Sequence, residues 1–152
     1  MVNRELGYLI QNQSVKNFLT QSGLQYIVSD GQVFLLRNCL LIHIYSYMSE
    51  DYVYFDVFNI MNQTQADLDI LIQDFIDKSE VQKICMSYRN NPRFTKIEAL
   101  FFEGLYFLSR FFQDMLHCDF RKYESAFKPI HEARKMTIAE TMKRYGYNLF
   151  PS

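Results

Sequence analysis

Two neighbouring stretches of the chain alternate their side chains in a pattern that could build an acid–base site or a binding surface. One face of the first stretch carries Leu41, His43, Tyr45 and Tyr47, and one face of the second carries Tyr52, Tyr54, Asp56 and Phe58. Because side chains alternate between the two faces of a β-strand, a tight turn over residues 48–51 would set His43 opposite Asp56. The same register pairs Tyr45 with Tyr54, and Tyr47 with Tyr52. The sequence therefore predicts a hairpin with an aromatic face and a His–Asp pair.

The His43–Asp56 pair is the sharpest candidate for chemistry. A carboxylate opposite an imidazole raises the pKa of the imidazole and fixes its tautomer, as a general base requires. No nucleophile shares this face, because Cys39 and Ser46 point the other way in a regular strand. We interpret the pair first as a structural cross-strand contact, with ligand binding and catalysis as the alternatives.

The four tyrosines of the hairpin are the best candidate surface for a partner protein. Tyrosine is enriched among the residues that dominate protein interfaces, and Glu50 and Asp51 add negative charge at the turn. The alternatives are burial under an N-terminal helix, the C-terminal tail or a second copy of the chain, and a ligand pocket. Stacking of nucleic-acid bases is excluded, because it requires surrounding Lys or Arg, and residues 40–60 contain neither.

The composition indicates one globular domain without a general affinity for nucleic acid. The chain has 152 residues, 49% of them hydrophobic, with 14 Phe, 11 Tyr and no Trp. This is ample apolar material for a single core. Sixteen basic and 17 acidic side chains leave a formal net charge of -1, which lacks the basic excess of a nucleic-acid-binding domain.

The sequence shows neither a membrane-spanning segment nor the cysteine pattern of a protein from an oxidising compartment. Its three cysteines, Cys39, Cys85 and Cys118, lie far apart, and an odd count without a CxxC pair favours reduced thiols. Residues 1–10 lack the apolar region of a secretory signal. No run approaches the roughly 18 apolar residues that span a bilayer. We therefore expect a cytoplasmic protein without a membrane partner.

Alternating side chains predict four antiparallel strands over residues 24–59, after a helix over 14–22. Asp30-Gly31 is a strong two-residue hairpin turn, because glycine tolerates positive φ, and Arg37-Asn38 is expected to turn the chain again. One face of the last hairpin is purely apolar and consists of Leu40, Ile42, Ile44, Val53, Phe55 and Val57. That face must be covered, and we expect the C-terminal helices to cover it.

After residue 59 the hydrophobic period changes from two to about 3.6 residues, which predicts helices. The expected helices span 64–79, 80–89, 95–117, 120–127 and 130–145. Thr64 and Asp67 resemble a capping box, and the 95–117 helix is apolar enough to be the central core helix. Gly104 within it suggests a close approach of another backbone. The expected fold class is α+β: a four-stranded antiparallel meander packed on one face by C-terminal helices, as a single domain over residues 1–152.

The remaining candidate sites are weaker. Asp114 and His117 share a helix face and could hold a metal with Asp119, but we interpret them first as a solvated helix end. His131-Glu132 lacks the second histidine of the zinc-protease motif, and no Walker loop or GxGxxG is present. We expect neither a metal nor a cofactor.

The order of elements, helix, meander and then several helices, resembles that of a loose group of small bacterial proteins. Some of these are immunity proteins encoded beside toxins, and their pattern after a long helix is Leu-Leu-x-Gly-Asp-Phe. Here Asp119 and Phe120 match, Met115-Leu116 replaces the leucine pair, and Cys118 stands in place of the glycine. The resemblance implies a partner-binding role, and no catalytic residue carries over.

We therefore expect non-catalytic binding of another protein, with an immunity-type neutraliser that occludes a basic toxin domain as the specific case. The expected contact residues are Tyr45, Tyr47, Tyr52, Tyr54, Glu50 and Asp51, with the acidic pair facing a basic target. One alternative is a small-ligand-binding protein or enzyme that uses His43 and Asp56 in a cavity between sheet and helices. Another is a structural protein that forms a homodimer through the tyrosines.

Overall fold

One antiparallel sheet of six strands organises the computed structural model, which describes residues 1–150. The strands are β1 (Gln25–Ser29), β2 (Gln32–Arg37), β3 (Leu40–Tyr45), β4 (Tyr54–Asn59), β5 (Thr64–Asp67) and β6 (Lys128–Pro129). Each strand pairs with the next one in the chain. The α+β class and the antiparallel sheet are confirmed, whereas the predicted number of four strands is wrong. Residues 151 and 152, which the predicted domain includes, lie outside the described part.

Helices both precede and follow the first five strands along the sequence. They are α1 (Gln13–Ser22), α2 (Leu68–Phe75), α3 (Lys78–Arg89), α4 (Lys96–Phe111), α5 (Gln113–Leu116) and α6 (Glu132–Lys143), with 3-10 helices at Gly7–Gln11 and Arg121–Ala126. Among the described residues, no helix combines the length and apolar character that crossing a membrane requires.

The two predicted turns between the first strands are present. Asp30 and Gly31 have φ angles of 52° and 76°, the positive values of the two-residue turn that suits a twisted hairpin. Asn38 has a φ of 44° and lies between β2 and β3. Gly23, at φ 65°, ends α1 in the left-handed conformation, as the sequence predicts.

The predicted helix over residues 64–79 is wrong at its start and in its length. Thr64–Asp67 form β5 and pair with β4, because the backbone groups of β4 gain a hydrogen-bonded neighbour there. The cap is Asp67, whose carboxylate accepts from the backbone N–H of Asp69 at 2.9 Å. The side chain of Asp77 caps α3 in the same way. The predicted single helix is therefore interrupted between α2 and α3.

The helix α4 is the central core helix, as predicted, but it is shorter than 95–117. The side chain of Thr95 and that of Glu98 form a capping box at its start. It ends at Phe111, and Phe112 leaves helical geometry with φ -124° and ψ 34°. A Cβ on Gly104 would lie 2.3 Å from the ring of Phe55. The close neighbour is therefore a side-chain ring of the sheet and not another backbone.

The main core lies between the sheet and one helical layer. All six residues of the predicted apolar face, Leu40, Ile42, Ile44, Val53, Phe55 and Val57, are buried there. The helices bring Leu19, Leu71, Phe101 and Leu108 to the same cluster. The cover therefore comes from α1, before the sheet, as well as from α2 and α4 after it.

The opposite face of the sheet is also covered. The sequence leaves open a cover by the C-terminal tail, but it does not predict that the helix α6 takes part. Ile138 and Met142 lie one turn apart on α6 and are buried against this face. Their cluster includes Ile27, Phe34, Leu36, Leu41 and Phe58 of the sheet, with Tyr147, Leu149 and Phe150 packed around it. The final helix thus builds a second, smaller core on the side that carries His43 and Asp56.

Candidate functional site

The hairpin of β3 and β4 has the predicted register at its centre but not at its tip. His43 pairs with Asp56, and Tyr45 pairs with Tyr54. Beyond this pair the ladder stops, and Tyr47 forms a bridge with Asn3 near the N-terminus instead of pairing with Tyr52. The loop between the strands is therefore longer than the predicted turn over residues 48–51.

The side chains of His43 and Asp56 do not bond to each other, because Arg134 of α6 bonds to both. Its Nη2 donates to Asp56 Oδ2 at 2.5 Å and to His43 Nδ1 at 3.0 Å. The other imidazole nitrogen, Nε2, lies 2.6 Å from Gln32 Oε1. Since an arginine only donates, Nδ1 accepts and Nε2 carries the proton. His43 is therefore a neutral imidazole with both nitrogens occupied.

This environment shifts the pKa of His43 in the direction opposite to the one the sequence suggests. Burial, and then the positive charge of Arg134, hold the pKa of His43 well below its usual value. Burial raises the pKa of Asp56, although Arg134 and the Tyr45 hydroxyl oppose the shift. A neutral imidazole without a free nitrogen cannot accept a substrate proton, so the geometry favours the structural interpretation of the pair.

A row of stacked rings crosses the sheet beside this network. The ring of His43 stacks on Phe34 at 4.3 Å and on Tyr45 at 4.5 Å, and Tyr45 stacks on Tyr54 at 5.0 Å. The guanidinium of Arg134 lies 5.4 Å from the centroid of the Tyr45 ring, within the range of a cation–π contact. Arg134 thus anchors α6 to the rings as well as to the polar groups.

We call Tyr45, Tyr47, Tyr52 and Tyr54 the tyrosine patch. All four rings are half-buried, and the ring centroid of Tyr54 lies 6.0 Å from that of Tyr47 and 4.8 Å from that of Tyr52. The hydroxyls of Tyr45 and Tyr54 donate to Asp56 and Glu50. Within residues 1–150, the hydroxyls of Tyr47 and Tyr52 have no hydrogen-bond partner. The patch therefore has an inner pair fixed by the protein and an outer pair with free polar tips.

The N-terminal segment fixes the loop that carries the outer pair. Arg4 donates from its backbone N–H to the carbonyl of Ser46 at 2.8 Å, and from Nη2 to the carbonyl of Glu50 at 2.9 Å. The same guanidinium lies 3.9 Å from the carboxylate of Asp51, whose side chain is 71% exposed. The loop is thus held in one conformation and presents a carboxylate to solvent.

Two clefts flank the tyrosine patch. One, of about 360 Å³, lies between the sheet and α6, and His43, Tyr45, Tyr47 and Arg134 line it together with Gln32 and Thr137. The other, of about 550 Å³, lies between Tyr52 and the helices α2, α3 and α4, with Asp69, Cys85, Arg89 and Glu103 among its lining residues. Each of the two outer tyrosines thus borders a cleft.

Sequence reasoning missed three charged residues that shape these clefts. Glu103 of α4 is only 7% exposed, and Arg89 holds its carboxylate with two hydrogen bonds of 3.2 Å. A charged residue inside the apolar stripe of a core helix was a signal for this pair. Arg134 gave no such signal, because α6 lacks a clear apolar face.

The structure gives the three candidate metal ligands separate partners. Asp114 accepts from the Tyr123 hydroxyl, Asp119 pairs with Arg121, and His117 contacts its own helix through the carbonyl of Gln113. Over residues 1–150, no three His, Cys, Asp or Glu side chains are grouped so that they could hold a metal ion.

Comparisons with known proteins do not assign a function to this site. The chain gives no significant match to a protein-family model, a curated protein or a solved structure. Support for the function therefore comes from the tyrosine patch and the two clefts.

Proposed function

We propose that the tyrosine patch binds a basic surface of another protein and that the protein acts without catalysis. The observation that carries this proposal is the state of the outer pair, Tyr47 and Tyr52. Their rings are half-exposed, and their hydroxyls are unpaired within the described chain. Tyrosine in this state offers apolar area together with a hydrogen bond, and it loses little conformational entropy on binding.

The fixed surroundings of the patch support the same function. Tyr45 and Tyr54 stack below the outer pair, and Arg4 holds the loop from behind. A surface that is already ordered loses less conformational entropy on association, so more of the contact energy appears as affinity. A rigid aromatic cluster is therefore better suited to docking than a mobile loop would be.

The charge around the patch selects the kind of partner. Asp51 is exposed at the loop, and Asp69 lines the cleft beside Tyr52. Of the cations nearby, Arg4 lies 3.9 Å from Asp51, Arg134 pairs with Asp56, and Arg89 pairs with Glu103. Glu50, Asp69 and the cleft residue Lys78 form no ion pair within the described chain. The two carboxylates outnumber the one cation, and this small negative excess favours a basic partner and speeds its association.

The resemblance to immunity proteins supports a toxin domain as the partner class, with occlusion as the mechanism. In the resembled pattern a glycine precedes Asp119-Phe120, and Cys118 holds that place here with a φ of 65°. This left-handed conformation is the one that glycine adopts without strain. The backbone at this point is thus compatible with the pattern although the residue differs.

Affinity capture with a matched pair of variants tests the proposal. The tagged protein, its Tyr47→Ala/Tyr52→Ala variant and a Tyr26→Ala control would each be incubated with extract of the native cells. Tyr26 is a 49% exposed tyrosine on β1, an edge strand that does not carry the patch. We expect one basic protein to be retained by the wild type and by Tyr26→Ala, and to be lost from the double variant.

Circular dichroism and thermal unfolding must show that the double variant is folded. Equal retention by all three proteins would contradict a role of the outer pair. Retention that does not weaken at higher ionic strength would contradict the proposed charge complementarity.

A second candidate function is favoured by the cleft of about 360 Å³ that reaches His43. Among the groups that line it, the amide N–H of Gln32 and the hydroxyl of Tyr47 are uncommitted donors within the described chain. A cleft rich in donors suits a small ligand with oxygen acceptors, such as a carboxylate or a phosphate. This ligand would bind against the sheet without using His43 as a base.

Acetate and inorganic phosphate are the probes for this second function. If the cleft binds oxygen acceptors, either probe raises the thermal midpoint of the wild type. A Thr137→Trp variant, which fills the cleft from α6, should lose that increase. An equal increase in both proteins, or none in the wild type, would contradict a ligand site at this position.

A further inference from the structure

The fold brings together two cysteines that lie far apart in the sequence. Cys39 follows β2 in the turn that leads to β3, and Cys118 follows α5. The thiol of Cys118 donates to the carbonyl of Arg37, two residues before Cys39, at a distance of 3.5 Å. Burial raises the pKa of the Cys39 thiol, and the thiol of Cys118 lies near enough to raise it further. Both residues are half-buried and pack against the main core.

We propose that Cys39 and Cys118 form an intramolecular disulfide when the protein meets a disulfide oxidant such as oxidised glutathione. The two residues lie on connections between elements and not inside strands or helices. The local backbone at both positions is therefore not fixed by strand or helix hydrogen bonds, and its movement would bring the sulfur atoms to bonding distance. The third cysteine, Cys85, lies on α3 and has Glu103, Arg89 and Asp69 as its charged neighbours.

The reaction is a thiol–disulfide exchange in two steps. The thiolate of one cysteine attacks a sulfur of oxidised glutathione, which forms a mixed disulfide and releases one reduced glutathione. The thiolate of the second cysteine then attacks the protein sulfur of the mixed disulfide and releases the second reduced glutathione. The protein loses two protons and two electrons, and the oxidant takes up both.

Cys85 is a matched internal control for this reaction. Burial is the largest cause that raises the pKa of Cys39 to about 11, and it likewise raises the pKa of Cys85 to about 11. Both thiols are therefore mostly protonated at neutral pH, and both should react faster as the pH rises. What distinguishes Cys39 is the second thiol beside it, which can resolve a mixed disulfide.

The bond would join the sheet to the helical layer at the end of β3 that is remote from the tyrosine patch. It would close a loop of about 80 residues, and long loops gain most from a crosslink. We therefore expect the oxidised protein to unfold at a midpoint several degrees higher than the reduced protein. Capture of the partner should be unchanged, because β3 separates the bond from Tyr47.

Peptide mapping after oxidation tests the proposal. The folded wild type, Cys118→Ser and Cys85→Ser would be treated with oxidised glutathione at mildly alkaline pH, blocked with N-ethylmaleimide and digested. In the wild type and in Cys85→Ser we expect one peptide pair joined through Cys39 and Cys118. In Cys118→Ser we expect Cys39 to remain free or to keep a bound glutathione.

Three outcomes would overturn the proposal. The first is stable glutathione on both Cys39 and Cys118 of the wild type, since adjacent thiols would resolve it. The second is a crosslink that includes Cys85. The third is the absence of any crosslink under conditions in which a short peptide with two cysteines is fully oxidised.

Discussion

At the scale of single residues, the guanidinium of Arg134 joins the last helix to the centre of the sheet. It donates to Asp56 and to His43, and it lies over the rings of Tyr45 and Phe58. Asp56 is 9% exposed and His43 is 5% exposed, and Arg134 is the one partner that both groups share. The network therefore couples the position of α6 to the inner tyrosines.

Replacement of Arg134 by Met should destabilise the protein by about 2 to 4 kcal/mol, because Asp56 would stay buried without its cation. Urea unfolding measures this loss. An Arg121→Met variant is the control, since its ion pair with Asp119 is exposed and should contribute nothing measurable. Equal losses of stability in the two variants would show that the buried ion pair stabilises the fold no more than the exposed one.

The free energy of unfolding should fall as the pH decreases below about 6.5, because His43 is neutral in the folded protein. Its pKa there lies well below the usual value, so between the two pKa values the unfolded chain binds more protons. The expected slope from this group reaches about 1.4 kcal/mol per pH unit. Asp56 acts in the opposite direction, because its raised pKa lets the folded protein take up a proton first.

A comparison of the wild type with His43→Gln at about pH 7.5 and about pH 5.5 isolates the histidine, since both proteins contain Asp56. The wild type should lose more stability between these two pH values than the variant. The same pH dependence in both proteins would mean that His43 is not the titrating group.

The residue scale also shows what the sequence could and could not predict about the site. The opposition of His43 to Asp56 followed from the alternation of side chains alone. The direction of the pKa shift of His43 did not, because it depends first on burial and then on Arg134, which lies 91 residues away in the chain. A pattern within one hairpin carries no information about a cation that arrives from another element.

At the scale of elements, the helix α4 packs so closely on the sheet that only glycine fits at position 104. An alanine there would gain about 1 kcal/mol of helix propensity. Its methyl group, however, would overlap the ring of Phe55, which comes within 2.3 Å of the Cβ position. We therefore expect Gly104→Ala to lower the free energy of unfolding by about 1 to 3 kcal/mol, as measured in urea.

A second substitution distinguishes this overlap from other causes. Phe55→Leu removes the ring, so the double variant Gly104→Ala/Phe55→Leu should lose less stability than the sum of the two single variants. Simple addition of the two losses would contradict a direct contact between the positions.

The helix α6 and the second core that it builds give another prediction at this scale. Ile138 is 2% exposed against the sheet, whereas Met136 on the same helix is 61% exposed. Ile138→Ala should cost about 2 to 4 kcal/mol, and Met136→Ala should change stability by less than about 0.5 kcal/mol. Thermal unfolding of both variants checks this. A small loss of stability for Ile138→Ala would mean that the packing of α6 on the sheet contributes little to the stability of the fold.

The element scale also shows why four strands were predicted and six were found. Both added strands are short, and they join by pairing with neighbours: Thr64–Asp67 with β4, and Lys128–Pro129 with β5. Two residues of β6 are too few for an alternation pattern, and in 64–67 a helix cap competes with the strand signal. The long hairpins, by contrast, carried their own turn residues and apolar faces.

At the scale of the whole molecule, the end of the β3–β4 hairpin combines a rigid aromatic surface with a small excess of negative charge. The order of the elements and the main core were predictable, because each apolar face was large and periodic. The cover on the second face was not, because α6 shows two buried residues and no clear stripe. That cover stops short of the outer pair and leaves Tyr47 and Tyr52 half-exposed.

Self-association through the same surface is separated from partner binding by gel filtration. If the tyrosine patch binds a basic partner, the wild type and Tyr47→Ala/Tyr52→Ala should elute as the same species. A dimer of the wild type that dissociates in the double variant would instead support the homodimer interpretation.

The most direct test of the central proposal is the dissociation constant for the captured partner, measured by calorimetry at two ionic strengths. Tyr47→Ala/Tyr52→Ala should weaken binding by about ten-fold or more, and Tyr26→Ala should leave it unchanged. Higher salt should weaken the wild-type complex, because exposed carboxylates contribute to it. An unchanged dissociation constant for a folded double variant would contradict the proposal that the tyrosine patch is the binding surface.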